Sequence, residues 1–283
     1  MTDIRIGYIG LGSMGAPMAS RLIGWPGGLV VYDVRDEATV PFAGTGSDIA
    51  GCIGDVATAD LISVTVLDDD QVREVVADLT RHAAPGTVIA VHSTIGDATA
   101  VELAGHGEAR GIHVIDAPVS GGAGAASSGE LATMVGAPRE IYERVKPVFR
   151  RWASLVIHAG EPGAGTRMKL ARNMLTFTAF AAACEAMSLA EAAGLDLQAL
   201  GRVVRHTDSL TGGPGAIMVR DNMHELDPGH WLYDTFTHTR ILGEKDLSLA
   251  VALGDSVDID LPLAQIALRN LADGLGVPHR DRR

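Results

Sequence analysis

The order of apolar and polar residues divides the chain into two parts with different periodicities. In the first part, short runs rich in β-branched residues alternate with segments of helical length. The predicted strands cover residues 4–9, 29–33, 61–66, 87–92, 113–115, 131–135 and 155–158. The predicted helices between them include residues 14–23, 70–81, 97–110 and 139–152. This alternation predicts an α/β domain with a doubly wound, mostly parallel sheet.

The pattern changes near Pro162 and Gly163. After Gly165 the chain is rich in Ala, Leu and Met and has no glycine or proline until Gly194. This predicts one helix over about 165–193, roughly 40–45 Å long at ~1.5 Å per residue. Further helices are predicted over 197–206, 239–253 and 262–275, with loops over 211–215 and 223–231. We therefore predict an α/β domain over residues 1–162, joined by the long helix to an all-α domain over residues 163–283.

Composition and charge narrow the classes of partner. Of the 283 residues, 47% are hydrophobic and 20% are charged, as in an ordinary globular protein. The formal net charge of −12 contrasts with the basic stripe of a nucleic-acid-binding protein and disfavours an anionic membrane surface. Glu185 and Glu191 interrupt the most apolar stretch, so no membrane span is expected. A small anionic substrate would have to be attracted by local groups.

Cysteine and histidine usage leads to three further expectations. Cys52 and Cys184 are far apart and form no C-x-x-C pair, which predicts free thiols in a reducing compartment. The chain enters its first predicted strand at Ile4 without a charged and apolar leader, so we expect a cytoplasmic protein. The ten histidines form neither H-x-x-x-H nor H-E-x-x-H, so no metal site is predicted.

A glycine-rich turn follows the first predicted strand. Gly10, Gly12 and Gly15 form G-x-G-x-x-G, which allows backbone amides to approach a pyrophosphate at a helix N-terminus. Asp33 ends the second predicted strand, 18 positions after Gly15, where a carboxylate is expected to bind the adenosine ribose. Residues 1–162 are therefore predicted to form a Rossmann-type dinucleotide-binding domain.

Asp33 also bears on the choice of nicotinamide cofactor. A carboxylate beside the ribose 2′ position repels the 2′-phosphate of NADP and so favours NAD. Arg35, two positions later, is able to accept that phosphate, which keeps NADP as the less favoured alternative. The predicted cofactor is NAD.

Lys169 is the candidate catalytic residue. The chain has only three lysines, at positions 146, 169 and 245, against twenty arginines. Where arginine is so strongly preferred, a retained lysine suggests a need for a proton that can be lost. Oxidation of a hydroxyl requires a base near pH 7, and burial or a nearby positive charge lowers the pKa of a lysine. Asn173 lies at i+4 on the same helical face, where its amide would orient a substrate oxygen.

A second polar segment is a candidate carboxylate site. Ser120 supplies a hydroxyl, and Gly121 and Gly122 supply backbone amides that no side chain obstructs. Consecutive amides of this kind form a concave site for an anion.

These features resemble the β-hydroxyacid dehydrogenases, the family of 3-hydroxyisobutyrate dehydrogenase. Four segments carry the resemblance: GLGSMGAPMASRL from Gly10, DAPVSGGAGAASSGELATMVGA from Asp116, GAGTRMKLARNML from Gly163 and EKDLSLA from Glu244. They span nearly the whole chain.

The resemblance implies a role for each matching residue. Gly10, Leu11, Gly12, Met14 and Gly15 would hold the cofactor. Leu67 would line the adenosine side, Thr94 would contact the nicotinamide ribose, and Lys245 would cover the cofactor. Ser120, Gly121 and Gly122 would bind the substrate carboxylate, Lys169 would transfer the proton, and Asn173 would orient the substrate.

The chain departs from the family pattern at two places. Arg21 stands where the family usually has Asn or His, a difference we attribute to packing. Arg240 and Glu244 place more charge near Lys245 than the family pattern does, which leaves the substrate side chain open.

The predicted function is hydride transfer between NAD(P) and a small 3-hydroxy acid, similar to 3-hydroxyisobutyrate, or its semialdehyde. Alternatives are an imine reductase, a semialdehyde or glyoxylate reductase of the same fold, and a non-catalytic nucleotide-binding module. Imine reductases usually carry Asp or Tyr in place of the lysine, so Lys169 counts against them. Small residues between Ala181 and Ala190 suit close helix packing, and a homo-oligomer, either a dimer or a tetramer, is expected.

Overall fold

A computed structural model describes residues 4–279 of the chain. The strands are β1 Ile6–Ile9, β2 Leu29–Tyr32, β3 Asp48–Ile49, β4 Leu61–Val64, β5 Val88–Val91, β6 His113–Asp116, β7 Val119–Ser120, β8 Leu131–Gly136 and β9 Ala153–Gly160. The helices are α1 Gly15–Ser20, α2 Asp36–Thr39, α3 Ile53–Val56, α4 Asp69–His82, α5 Asp97–Glu108, α6 Gly122–Ser128, α7 Arg139–Phe149, α8 Ala164–Ala192, α9 Leu197–Thr211, α10 Tyr233–Ser256 and α11 Pro262–Leu275. Short 3₁₀ helices cover Val40–Phe42 and Gly213–Ile217.

The strands form one sheet in the order β3-β2-β1-β4-β5-β6-β8-β7, with β9 paired to β8. Strands β1 to β6 are parallel, whereas β8 runs antiparallel to β6 and β7. Strand β8 follows β7 through a connection that contains α6, and it returns antiparallel beside β7. The predicted doubly wound, mostly parallel sheet is confirmed.

Both faces of the sheet are covered by helices. Along β5, Val88 and Ala90 belong to one buried cluster, and Ile89 and Val91 belong to the other. Alternation arises because successive strand side chains point to opposite faces. Helices α1 and α7 cover the first face, and α3, α4 and α5 cover the second. Because helices cover both faces of the sheet, its strands are mostly apolar, which explains the runs of β-branched residues in the first part of the sequence.

The chain divides into two compact units, the first ending at Asn173 and the second beginning at Met174. Up to residue 279, every regular element after β9 is helical. In the second unit, Glu185 of α8 accepts hydrogen bonds from the N–H groups of Leu263 and Ala264 at 2.9 and 3.0 Å. This carboxylate therefore satisfies the free amides at the start of α11. The predicted domain boundary between residues 162 and 163 stays a prediction.

The long helix predicted over residues 165–193 is confirmed as α8. Other predicted boundaries were wrong. Helix α10 begins at Tyr233 rather than at residue 239, and α9 with the following 3₁₀ helix occupies most of the loop predicted over 211–215. Helix α7 ends at Phe149, and the following strand begins at Ala153 rather than at residue 155. Each difference lies at an element end, where packing decides more than local propensity.

Three properties of the described residues bear on the expected surroundings of the protein. No helix within residues 4–279 is long and apolar enough to cross a membrane. Cys52 and Cys184 are exposed free thiols. No three His, Cys, Asp or Glu side chains in this part of the chain are grouped as the ligands of a metal would be.

Candidate active site

The glycine-rich turn joins β1 to α1 and fits close approach of a dinucleotide. Gly10 has a φ of +90°, and an added Cβ there would collide with the Thr65 carbonyl oxygen. A Cβ on Gly15 would collide with the Gly10 carbonyl oxygen, so both glycines are required by the turn itself. At Gly12 an added Cβ would meet no atom within 4 Å, so the backbone there is open to a ligand. The turn thus has the open cradle that a pyrophosphate needs.

Asp33 is held against this turn. Its Oδ2 accepts a hydrogen bond from the Leu11 N–H at 2.7 Å, and its Oδ1 accepts from the Arg35 N–H at 2.9 Å and the Arg35 Nε–H at 3.1 Å. Burial alone would raise the pKa of Asp33, but the hydrogen bonds from Arg35 and Leu11 outweigh it and lower that pKa. Asp33 is therefore an anion at neutral pH, and its hydrogen bond from Leu11 helps to orient the glycine turn.

Two exposed apolar side chains flank the turn. Val34, immediately after Asp33, is 83% exposed, and Leu67, in the loop after β4, is 81% exposed. Since β2 and β4 are the neighbours of β1, both residues follow strands beside the glycine turn. Large apolar side chains left open at this edge are suited to an adenine ring. Leu67 was predicted from the sequence, whereas Val34, which directly follows Asp33, was not.

Thr94 lies in the loop after β5 and is exposed. The preceding residue, Ser93, fixes this loop to the one that follows β4. Its hydroxyl donates to the Val66 carbonyl at 2.7 Å and accepts from the Val66 N–H at 2.9 Å. Both loops therefore extend from the carboxyl edge of the sheet, where ligands bind in doubly wound folds.

Lys169 lies on α8 and is only 8% exposed. Its Nζ donates to the Val119 carbonyl oxygen at 2.7 Å and to the Ser120 Oγ at 3.2 Å. Burial lowers the pKa of Lys169, and the positive charge of Arg172 lowers it further. The position of Lys169 Nζ is thus fixed by two hydrogen bonds, and this lysine loses its proton more readily than a surface lysine.

The segment beside Lys169 has the backbone that the predicted carboxylate site requires. Gly121 has a φ of +136° and Gly122 a φ of +78°, which other residues rarely adopt. A Cβ on Gly121 would approach Ala125 to 2.8 Å and Leu131 to 2.9 Å, whereas a Cβ on Gly122 would enter open space. The contact between Lys169 and Ser120 places this segment next to the candidate acid–base group.

Asn173 and Lys245 complete the predicted set. Asn173 is half-buried one helical turn after Lys169, and its Oδ1 accepts a 3.4 Å hydrogen bond from Arg172. In the second unit, Lys245 of α10 has a 60% exposed side chain, paired with Asp246 at 2.9 Å. The roles of both residues stay predictions.

The two departures from the family pattern have local explanations. Arg21 donates from Nε to the Arg151 carbonyl oxygen at 2.9 Å, and its attribution to packing stays a prediction. Arg240 and Glu244 form a largely buried ion pair at 3.1 Å within α10.

The glycine-rich turn of the first unit is typical of a dinucleotide-binding domain. Together with the buried lysine beside a Ser-Gly-Gly segment, it indicates a nicotinamide-dependent oxidoreductase. Residues 5–160 match the NAD-binding domain of 6-phosphogluconate dehydrogenase, and residues 163–276 match the NAD-binding family of NADP-dependent 3-hydroxyisobutyrate dehydrogenase. The chain belongs to this 3-hydroxyisobutyrate dehydrogenase-like family of β-hydroxyacid dehydrogenases. The predicted family, the enzyme class and an NAD cofactor are confirmed.

Individual relatives cover nearly the whole chain. An uncharacterised oxidoreductase of Mycobacterium tuberculosis is 64% identical over 98% of this chain and 95% of its own length. An NAD-dependent L-serine dehydrogenase of Pseudomonas aeruginosa is 32% identical over 93% of this chain and 90% of its own. The structure of M. tuberculosis 3-hydroxyisobutyrate dehydrogenase with L-serine has a TM-score of 0.68 at 30% identity, covering 95% of this chain and 92% of that one.

Proposed function

We propose that the protein transfers a hydride between NAD and a small 3-hydroxy acid or its semialdehyde, with Lys169 as the acid–base group. The observation that carries this proposal is the pair of hydrogen bonds from Lys169 Nζ to Val119 and Ser120. A tetrahedral amine has four positions, and the side-chain carbon and these two acceptors occupy three. The fourth position holds a proton in the ammonium form and a lone pair in the amine form. That position is where a substrate proton is exchanged.

The remaining predicted residues have complementary roles in this proposal. NAD, when bound, supplies the carbon that accepts or returns the hydride. Gly10, Leu11, Gly12, Met14 and Gly15 hold its pyrophosphate side, and Leu67 and Thr94 contact its other parts. The amides of Gly121 and Gly122 and the hydroxyl of Ser120 bind the substrate carboxylate. Asn173 orients the reacting oxygen without competing for its proton.

The relatives support this substrate class. One is an L-serine dehydrogenase, and another is a 3-hydroxyisobutyrate dehydrogenase whose structure was determined with L-serine. Both molecules carry a carboxylate and a hydroxyl on the third carbon. We therefore propose that the site recognises the 3-hydroxy acid unit that both molecules share. Other residues of the site would determine which group on the second carbon is accepted.

A substrate panel tests the function. With NAD, we expect turnover of free 3-hydroxy acids, including L-serine and 3-hydroxyisobutyrate, and much weaker turnover of their methyl esters. Ser120→Ala should raise KM for the acids, because loss of a hydrogen bond to a charged group costs about 1.5–3 kcal/mol. Ser127→Ala, on the exposed side of α6, is the matched control and should leave KM unchanged. Equal turnover of acids and esters would contradict the carboxylate site.

The same panel separates the alternatives. Reduction of imines without activity on hydroxy acids or aldehydes would identify an imine reductase. Preferred turnover of glyoxylate or of longer semialdehydes would identify a related carbonyl reductase. Binding of NAD with no turnover of any of these compounds would identify a non-catalytic module. Such a module would not need a buried lysine that is held by two hydrogen bonds, as Lys169 is.

We further propose that Asp33 makes the protein prefer NAD to NADP. Its carboxylate is ionised and 8% exposed, so a 2′-phosphate beside it would be repelled. Arg35 is bound to Asp33, and its side chain is 54% exposed, so it can move aside for ribose hydroxyls at little cost. Since Asp33 also accepts the Leu11 N–H, it contributes to the shape of the turn.

Titration of both cofactors by calorimetry tests this preference. The unmodified protein should bind NAD about tenfold or more tightly than NADP, a difference of ~1.4 kcal/mol or more. Asp33→Asn should reduce the ratio of the Kd for NADP to the Kd for NAD. Arg35→Gln should leave this ratio unchanged or increase it, because it removes the cation that a 2′-phosphate needs. Equal Kd values in the unmodified protein would show that Arg35 controls the pocket.

We also propose that a second copy of this chain covers the apolar face of the helical unit. Within the described residues, its main buried cluster consists of Leu226, Leu232, Phe236, Leu275 and Val277. Helix α9 buries none of its residues, and Phe177 and Phe180 on α8 are 63% and 60% exposed. So much open apolar surface is typical of an interaction site rather than of a monomer surface.

Light scattering tests self-association. The mass should be at least twice the 29.5 kDa of one chain, and Phe180→Glu should reduce it at low protein concentration. Ala77→Glu introduces the same charge at an exposed position on α4 of the first unit, outside the proposed face, and should leave the mass unchanged. A 29.5 kDa particle at all concentrations would contradict the proposal.

A further inference from the structure

The segment from β6 to β7 contacts α8 at two places. Asp116, at the end of β6, accepts a hydrogen bond at Oδ1 from the Gly163 N–H at 2.7 Å and at Oδ2 from the Thr166 N–H at 2.6 Å. Three residues later, the Val119 carbonyl accepts the hydrogen bond from Lys169. Four consecutive residues, from Asp116 to Val119, thus bind both the first turn of α8 and the candidate acid–base group one turn further on.

The Asp116 carboxylate is tightly enclosed. Asp116 is 3% exposed, and an added Cβ on Gly136 would collide with its carboxylate. An added Cβ on Gly165 would lie 2.9 Å from the Asp116 carbonyl oxygen and 2.9 Å from the Gly136 nitrogen. The start of α8 therefore rests directly on β6 and β8, and the glycines permit this approach.

Burial of a carboxylate is costly unless hydrogen bonds compensate for lost water. The free N–H groups and the positive dipole end of α8 provide part of that compensation, although burial still raises the pKa of Asp116. An interaction of this kind fixes the helix at a defined position along β6. It thereby fixes where Lys169 meets the Val119 carbonyl.

We propose that Asp116 is a positioning residue, which holds the first turn of α8 in place and so sets the location and proton affinity of Lys169. It acts through the helix and not by contact with substrate or cofactor. This inference rests on the proposed role of Lys169 as the acid–base group.

The test compares Asp116→Asn with Asp196→Asn. Asp196 also accepts two backbone N–H groups at a helix start, from Gln198 at 2.8 Å and Ala199 at 3.2 Å, but α9 carries no predicted site residue. Both variants should lower the melting temperature. Only Asp116→Asn should lower kcat, by about 10–100-fold, since small misplacements of catalytic groups have effects of this size. The Kd for NAD should stay within about twofold of the unmodified value, because the glycine turn is untouched.

A second readout follows Lys169 in the free protein. Selective ¹⁵N labelling yields three lysine side-chain signals, since the chain has three lysines, and Lys169→Arg identifies one of them. In Asp116→Asn the titration of Lys169 should move to higher pH, towards the ordinary value of ~10.4, as the residue loses burial and its fixed acceptors. In Asp196→Asn it should not move. A merely structural cap would lower stability without altering this titration.

The outcomes are distinguishable. If the oxidation rate of the unmodified enzyme shows no rise with pH that depends on Lys169, the proposed function fails. If that rise exists but Asp116→Asn has a normal kcat and Lys169 titrates at an unchanged pH, the positioning role is wrong and the proposed function stands. Asp116→Ser, which keeps an acceptor for one N–H, replaces the asparagine variant if that one does not fold. Failure of both to fold, with Asp196→Asn folded, would show that Asp116 is only structural and would overturn the inference.

Discussion

Replacement of Lys169 with alanine is expected to lower kcat by about 10²–10⁴-fold, the usual contribution of a positioned acid–base group. Lys169 donates hydrogen bonds only to Val119 and Ser120 among the described contacts, and neither lies in the glycine turn. The affinity for NAD should therefore remain close to that of the unmodified protein. Stopped-flow measurement of nicotinamide absorbance, together with calorimetric titration of NAD, measures the two effects separately.

The pH dependence of the Lys169 variants distinguishes proton transfer from a fixed positive charge. Oxidation needs the neutral amine, so its rate should rise with pH as the lysine loses its proton. Because burial and Arg172 lower the pKa of Lys169, the rise should occur below the range of an ordinary lysine. Lys169→Arg should be almost as impaired as Lys169→Ala, since a guanidinium does not readily exchange its proton.

Lys146→Ala is the matched control. Lys146 is 3.8 Å from Glu143 and lies over the ring of Tyr142, with no contact to the candidate site, so its loss should leave kcat unchanged. Near-normal turnover by Lys169→Arg would show that position 169 acts as a fixed charge. The proposal of an acid–base lysine would then have to be abandoned.

Regular periodicity explains why most of the sheet was predictable. Strand β5, for example, is buried on both faces and so appears as a continuous apolar run. Helix α6 was missed because its Gly, Ala and Ser residues have no apolar period and resemble a loop. Strand β7 has two residues and exists only because β8 pairs with it, which local sequence does not reveal.

The site was predictable where chemistry is local in sequence. The glycine turn and Asp33 follow a short motif, and Lys169 is distinguished by the scarcity of lysine. The partners of Lys169 were not predictable, because Val119 contributes a backbone carbonyl, which every residue has, from 50 positions away. The cap by Asp116 was missed for the same reason, since it links residues 47 and 50 positions apart.

The second large effect is expected in acid, at His92. This side chain is 3% exposed and bridges two strands through the Ala117 carbonyl at 2.8 Å and the Ser63 hydroxyl at 3.0 Å. A carbonyl can only accept, so Nδ1 carries the proton and Nε2 accepts from Ser63. The rings of Phe149 and Trp152 lie 5.2 and 5.4 Å from the imidazole. Burial lowers the pKa of His92 from 6.5 to about 4.

This difference makes the free energy of unfolding fall in acid. Above pH 6.5, His92 is neutral in both states and costs nothing. Between pH 6.5 and about 4, the unfolded chain binds a proton that the folded chain cannot accept, so stability falls. The loss is about 1.4 kcal/mol per pH unit and about 3 kcal/mol in total. Below about pH 4 the folded state is protonated as well, and the contribution of His92 levels off.

Urea unfolding of His92→Gln and of the unmodified protein, between pH 7 and 4, measures this contribution. Glutamine does not titrate, so the variant should be less stable at pH 7 but should lose about 3 kcal/mol less on acidification. Asp116, whose pKa burial raises, and Asp33, whose pKa its hydrogen bonds lower, also respond to acid. Both are present in each protein, so the difference between the two curves isolates His92. Parallel curves for His92→Gln and the unmodified protein would show that the buried imidazole does not resist protonation, because a folded-state pKa near 6.5 adds no slope.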